Sequence, residues 1–281
     1  MQTATDKDII AFQKWLKDSD IVDRDHEEEF STSCLYQDAS PNVVPIESGN
    51  KNNCFTSPNN YSAKSRTSDQ HFISPKDYLK VDQLCTYKII VWHLEETLAD
   101  RNPPPLHLII NGEGGTGKSK VIEAVTDYFA SRGASHLLVK MAYTRIAASH
   151  IQGITCHAAT MISHNNKPMS VKTKEKLQQF WAPILYEIIN KFSMLGKTFF
   201  AKLLHNISIG KSGSTNVPIE RSFGGTSVIM TGDKHQFPPV TCSIHEVLYY
   251  PPDPERDSAL SLIGPSLYEE FCMLITLKEQ V

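Results

Sequence analysis

The sequence has no surplus of positive charge. Its 28 Lys and Arg against 31 Asp and Glu leave a formal net charge of −3, so no overall basic field draws it onto nucleic acid, and any such contact has to rest on a local groove. The six cysteines, Cys34, Cys54, Cys85, Cys156, Cys242 and Cys272, include no CxxC pair. That spacing signals neither a zinc site nor a disulfide framework and leaves a reducing compartment as the expectation. No apolar run approaches membrane-spanning length, and the N-terminus carries Asp6 and Asp8 where a secretory signal would have a basic region ahead of an apolar one. The chain therefore reads as soluble, with no membrane partner. What it does have, 281 residues of which 40% are hydrophobic, is enough for one large core or two small ones.

The most informative stretch is 106–125, LHLIINGEGGTGKSKVIEAV, where an apolar run breaks into a glycine-rich turn and restarts with helical spacing. Gly112, Gly117, Lys118 and Ser119 fill the GxxxxGK[ST] pattern, and Glu113, Gly114, Gly115 and Thr116 lie between them. Glycines let successive N–H groups turn inward around an anion, and the helix beginning near Lys118 aims its positive dipole end at the same point. The pattern gives Lys118 the β and γ phosphates of a nucleotide and gives the Ser119 hydroxyl a Mg²⁺ ion. A chance match is the alternative, and the strand-then-helix context weighs against it.

Taken in order, residues 5–17 have the spacing of a short amphipathic helix, with Thr5 as cap and Ile9, Phe12 and Leu16 on one face. It is either a docking peptide or a marginal helix. The acidic, then Asn-, Ser- and Pro-rich stretch that follows reads as a disordered arm, so residues 1–73 form one segment and 74–281 the folded domain. Leu79 to Leu94 mark a helix with Gln83 near its start. A Gln offers a donor and an acceptor to an adenine edge; a surface Gln is the equal alternative. Strands are expected at the phosphate-loop run, His136–Ala142, Ile184–Ile189, Thr226–Thr231 and Met273–Leu277, and helices over Val121–Phe129, Leu195–Ile207 and Leu267–Phe271. Gly133 suits a helix C-terminal cap. Ala142–His157 reads as a loop at a strand's carboxyl end, with His150 and His157 not spaced for metal, and Lys167, Lys172, Lys174 and Lys176 as a basic linker. Strands alternating with helices specify an α/β fold with a parallel sheet covered on both faces.

Gln83, the GEGGTGKS loop, AYTRIAASHIQGITCHAA, YEIINKFSML and GGTSVIMTGDKHQFPPV, in that order, resemble the first motor domain of superfamily 1B DNA helicases of the petite-integration-frequency type, in the form associated with Helitron transposons. The resemblance covers about Ser74 to Val281. It implies a RecA-like phosphate-loop NTPase fold, ATP and Mg²⁺ as cofactors, 5′→3′ movement along single-stranded DNA, and an intracellular setting, the nucleus ahead of the mitochondrion. Position by position, Gln83 resembles the adenine reader, Lys118 and Ser119 the phosphate and magnesium ligands, and Asp233 and Gln236 the γ-phosphate sensor loop. Thr144, Thr155 and His157 match motifs that face single-stranded DNA and contact it without reading sequence. An unrelated phosphate-loop kinase or GTPase is disfavoured, because GDKHQFPPV has no role in one.

Two departures accompany the matches. Where the family has Asp-Glu at the end of the third predicted strand, this chain has Asn190-Lys191, replacing the carboxylates expected to hold hydrated Mg²⁺ and to orient the attacking water. A cation about 5 Å from Mg²⁺ at an effective dielectric near 20 is repelled by roughly 6 to 7 kcal/mol. Glu187 interrupts the same strand, and Arg145 stands where the family usually has Gly. The second departure is that ITLKEQV at 275–281 resembles the start of the next motif, and the chain ends before the arginine that motif supplies. The expectation is a truncated motor lacking its second domain, binding single-stranded DNA weakly, either an impaired helicase domain or a non-enzymatic relic that binds nucleotide and DNA.

Overall fold

Consecutive apolar residues in a strand point alternately to its two faces, so an unbroken apolar strand needs cover on both. In β1 (His107–Gly112), Leu108 and Ile110 join one core while Ile109 joins another. The same split recurs in β4 (Tyr186–Asn190), with Ile188 on one side and Ile189 on the other, and in β5 (Ser227–Gly232), with Ile229 opposed to Val228 and Met230. The structure, a computed structural model, describes residues 75–162, 169–213, 222–236, 238–239, 244–253, 255 and 257–280. The helix expected over 5–17, the arm expected over 1–73 and Lys167 lie outside the described residues.

With β2 (Leu138–Ala142), β3 (Ile154–Thr155) and β6 (Met273–Leu277), these strands form a six-stranded sheet in the order β3-β2-β4-β5-β1-β6. Every pairing is parallel. One core takes Tyr87, Ile90 and Leu94 of α2 (Val81–Leu98), which follows the short α1 (Pro75–Tyr78), and Val121, Val125 and Phe129 of α3 (Lys118–Ser131). The other takes Leu177 and Trp181 of α6 (Val171–Trp181) and Phe200, Leu203 and Ile207 of α7 (Lys197–Lys211). The fold is thus the expected α/β sheet with helices on both faces. Among the described residues no helix is long and apolar enough to cross a membrane.

Two close approaches fix the second layer. Trp181 is fully buried, its Nε1 donates to the Ala159 carbonyl at 3.0 Å, and a Cβ on Gly210 would come within 2.7 Å of its ring. In α8 (Ala259–Tyr268), a Cβ on Gly264 would meet the Lys197 carbonyl at 2.5 Å, so α7 and α8 touch backbone to backbone there. Lys197 is itself fully buried and donates to Asp257 Oδ2 at 2.9 Å and to the Pro251 carbonyl at 3.0 Å.

Some expectations need correction. The stretch 142–157 is not a continuous loop: it holds α4 (Arg145–His150), β3 and the start of α5 (Cys156–Thr160). Lys172, Lys174 and Lys176 are not on a linker but on the exposed side of α6, which Ser170 caps by accepting from the Thr173 N–H at 3.2 Å. The last helix begins at Ala259, capped by Ser258, and ends at Tyr268, three residues before the Phe271 end expected for it. Gly133 does follow α3 with a left-handed φ of 67°, as a C-terminal glycine should.

Candidate functional site

Parallel strands deliver their carboxyl ends to one rim, and the register here fixes which residues meet there. Across it, Thr155 pairs with Ala142, Ala142 with Asn190, Asn190 with Thr231, Asn111 with Gly232 and Gly112 with Leu277. The next residues along the chain are Tyr143, Lys191, Asp233 and Glu113. Neighbouring strands lie about 4.8 Å apart, so β4 ends roughly 10 Å from the loop that follows β1.

That loop has the shape its glycines allow. Gly115 and Gly117 have φ of 87° and 77°, and Gly117 is the left-handed residue from which α3 starts. A Cβ on Gly112 would meet Thr116 Oγ1 at 2.5 Å, and that hydroxyl donates to the Glu113 carbonyl at 2.8 Å. Gln83 is 1% exposed, which removes the surface alternative. Its Oε1 accepts from the Lys80 N–H at 3.1 Å and its Nε2 donates to the Thr116 carbonyl at 3.0 Å, tying the start of α2 to the loop. These two bonds use one of the amide's donors and one of its lone pairs.

Lys118 Nζ donates to the loop's own carbonyls, Gly112 at 2.5 Å and Glu113 at 2.8 Å. Burial holds its ammonium below the usual lysine range; Asp233 pulls it up and Lys191 pushes it down. Asp233 is buried, and its Oδ1 accepts from the His235 N–H at 2.9 Å. Gln236 closes the other side, its Nε2 lying 3.5 Å from where a Cβ on Gly114 would sit. Ser119, the second residue of α3, is exposed. Lys118, Asp233, Gln236 and the loop 112–119 therefore lie together.

The end of β4 carries different chemistry. Asn190 is 7% exposed, accepts from Thr231 Oγ1 at 2.9 Å, and directs Nδ2 at the Ala147 carbonyl at 3.5 Å. Lys191 adopts the left-handed conformation, φ 58° and ψ 52°, uncommon for a residue with a side chain. It lines a cavity of about 260 Å³ with Thr144, Ile146, Ala147, Ser193, Met194 and Gln236. Glu187 takes no part. It is fully buried on the face shared with Ile189, three residues back from Asn190, where Oε1 accepts from Thr226 Oγ1 at 2.7 Å and Oε2 lacks a partner. Burial raises its carboxyl to about 8, with Thr226 and Lys211 pulling it back. Among the described residues no group of three or more His, Cys, Asp or Glu could hold a metal ion.

Thr144 and Thr155 are helix caps, accepting from the Ala147 and Ala158 N–H groups at 3.2 Å each. Both are half-exposed on the rim, as is His157. His157 belongs to an aromatic trio that the sequence did not reveal, with ring centroids 4.7 Å from Phe199 and 5.4 Å from Tyr143, and Tyr143 lies 5.1 Å from Phe199. The signal available was Tyr143 directly after an apolar strand. Phe199 comes from α7, and only folding joins it to the others. His150 is exposed.

A glycine-rich loop between strand and helix, at the carboxyl rim of a parallel sheet with helices on both faces, defines a phosphate-loop domain of the RecA-like α/β class. Residues 86–247 match the PIF1-like helicase family, and the chain belongs to that family. It is 30% identical over 138 residues to the ATP-dependent DNA helicase PIF1 of Mus musculus, a match covering 48% of this chain and 20% of that protein. Against the Danio rerio protein of the same name it is 30% identical over 142 residues, again 48% and 20%. The chain thus spans about a fifth of the length of these relatives. The crystal structure of Pif1 helicase from Candida albicans shares the fold, with a TM-score of 0.51 and 24% identity over 72% of this chain and 40% of that one.

Proposed function

We propose that this chain is an adenine-nucleotide-binding motor module that also binds single-stranded DNA weakly, and that in an intact superfamily 1B motor of this type it serves ATP-driven 5′→3′ DNA unwinding. The Helitron-associated form remains the resemblance that best accounts for the motifs. The observation that carries the reading is the meeting of Lys118, Asp233, Gln236 and the buried Gln83 on the loop 112–119. Gln83 fixes the loop and, on this reading, takes adenine with the rest of its amide; Lys118 exchanges its two carbonyl partners for phosphate oxygens; Gln236 and Asp233 act on the terminal phosphate. Thr144, Thr155 and the trio around His157 supply a polar and aromatic rim suited to sugar, phosphate and base stacking, with no means of reading sequence.

The ATP-dependence of its relatives implies Mg²⁺, whose role would be to neutralise and orient the phosphates. The residues present do not fit it. Asn190 offers an amide oxygen already accepting from Thr231, and Lys191 offers a cation, leaving Ser119 alone among the expected ligands. This mismatch supports the second reading, a module that binds nucleotide and DNA without turnover.

Lys118→Ala removes the principal phosphate cation and should weaken ATP binding in calorimetry at least about tenfold, or about 1.4 kcal/mol. Equal affinity in the two proteins rejects the assignment. In parallel, anisotropy with labelled single strands should report weak binding that falls steeply with salt, and duplex should bind no better.

A further inference from the structure

Resting on the nucleotide reading above, we propose that Lys191 takes the charge role of the divalent cation, so that the site binds free ATP and does not require Mg²⁺.

Geometry carries this. Lys191 follows Asn190, whose rung partner on β5 is Thr231, two residues before Asp233. It shares its cavity with Gln236, and Gln236 reaches to Gly114 of the phosphate loop. The side chain is half-buried and has no carboxylate within ion-pair distance among the described residues. A lysine in water gains little from an anion, but one held in a partly desolvated cleft beside a second lysine is unfavourable until an anion arrives. The influence of Lys191 on Lys118 has the same sign: it makes the Lys118 ammonium harder to keep charged. A fully ionised triphosphate relieves both, with the N–H groups of the loop adding their dipoles. Metal-bound ATP carries less negative charge and brings a cation toward Lys191, so metal should not help.

The test is ATP binding to the whole chain by calorimetry, once with excess Mg²⁺ and once with EDTA. Affinity in EDTA is expected to equal or exceed that in Mg²⁺. Lys191→Glu should weaken binding at least about tenfold in EDTA and recover it when Mg²⁺ is added; the neutral Lys191→Met should lose affinity in EDTA without that recovery. The wild-type comparison needs no variant to fold, and a thermal melt of each variant guards the rest. Binding by wild type only when Mg²⁺ is present overturns the proposal while leaving the nucleotide reading standing. Absence of ATP binding in both buffers overturns the nucleotide reading itself.

Discussion

At the scale of single residues, Glu187 shows how far spacing can mislead. In sequence it is the nearest carboxylate to Asn190-Lys191 and so the natural substitute for a missing catalytic acid. In the fold it lies on the opposite face of β4 and roughly 10 Å back along the strand, sealed against Thr226 and Lys211. Its consequence is for stability. The folded state keeps its proton up to about pH 8, whereas the unfolded chain ionises in the ordinary carboxylate range. A group raised in this way stabilises fully below its unfolded value, and that contribution is lost as pH rises through the folded value. Wild type should therefore lose on the order of 3 kcal/mol or more between about pH 5 and pH 8.5 from this residue. Glu187→Gln should flatten that dependence. Urea denaturation midpoints at the two pH values check it, and an equally steep fall in the variant would exclude Glu187 as the cause. The phosphate loop was legible because its residues are contiguous; Gln83 on Thr116, Lys191 beside Gln236 and the trio around His157 were not, because each joins separate elements.

At the scale of elements, the central strands were legible because burial on both faces leaves them mostly apolar, even with Glu187 inside β4. What escaped was short or disguised. β3 has two residues, too few for any period. α4 and α5 hid behind Thr144 and Thr155, which look like loop threonines because a hydroxyl that caps a helix also suits a turn. The lysines of α6 outnumber the two residues it buries, and Pro265 inside α8 reads as a break. The caps lead to a test that separates their two roles. Asp caps a helix at least as well as Thr, whereas Ala does not and costs about 1 kcal/mol. Thr144→Asp and Thr155→Asp should keep the melting temperature near that of wild type yet repel phosphate, lowering single-stranded DNA affinity several-fold at low salt. The corresponding Ala variants should melt earlier. If the Asp variants bind DNA as well as wild type, the rim at α4 and α5 does not face the strand.

At the scale of the whole molecule, holding a nucleotide and breaking it make different demands. In the module proposed above, the loop, Lys118, Asp233 and Gln236 would grip the phosphates, but hydrolysis needs a base that orients water, and Asn190 and Lys191 at the end of β4 would stand in its place. Losing such a base typically removes about 10² to 10⁴ in rate. The purified chain should accordingly hydrolyse ATP no faster than its Lys118→Ala variant, with or without single-stranded DNA. Restoring the acidic pair through Asn190→Asp with Lys191→Glu should make nucleotide binding dependent on Mg²⁺. With a second motor domain of a relative added in trans, DNA-stimulated turnover should rise in the restored protein and not in the original. The steady-state ATPase rate of the four combinations decides it. Stimulated turnover by the original chain alone would mean that Asn190 and Lys191 do not occupy the catalytic positions; with Glu187 sealed beneath β4, Asp233 would become the first carboxylate to replace.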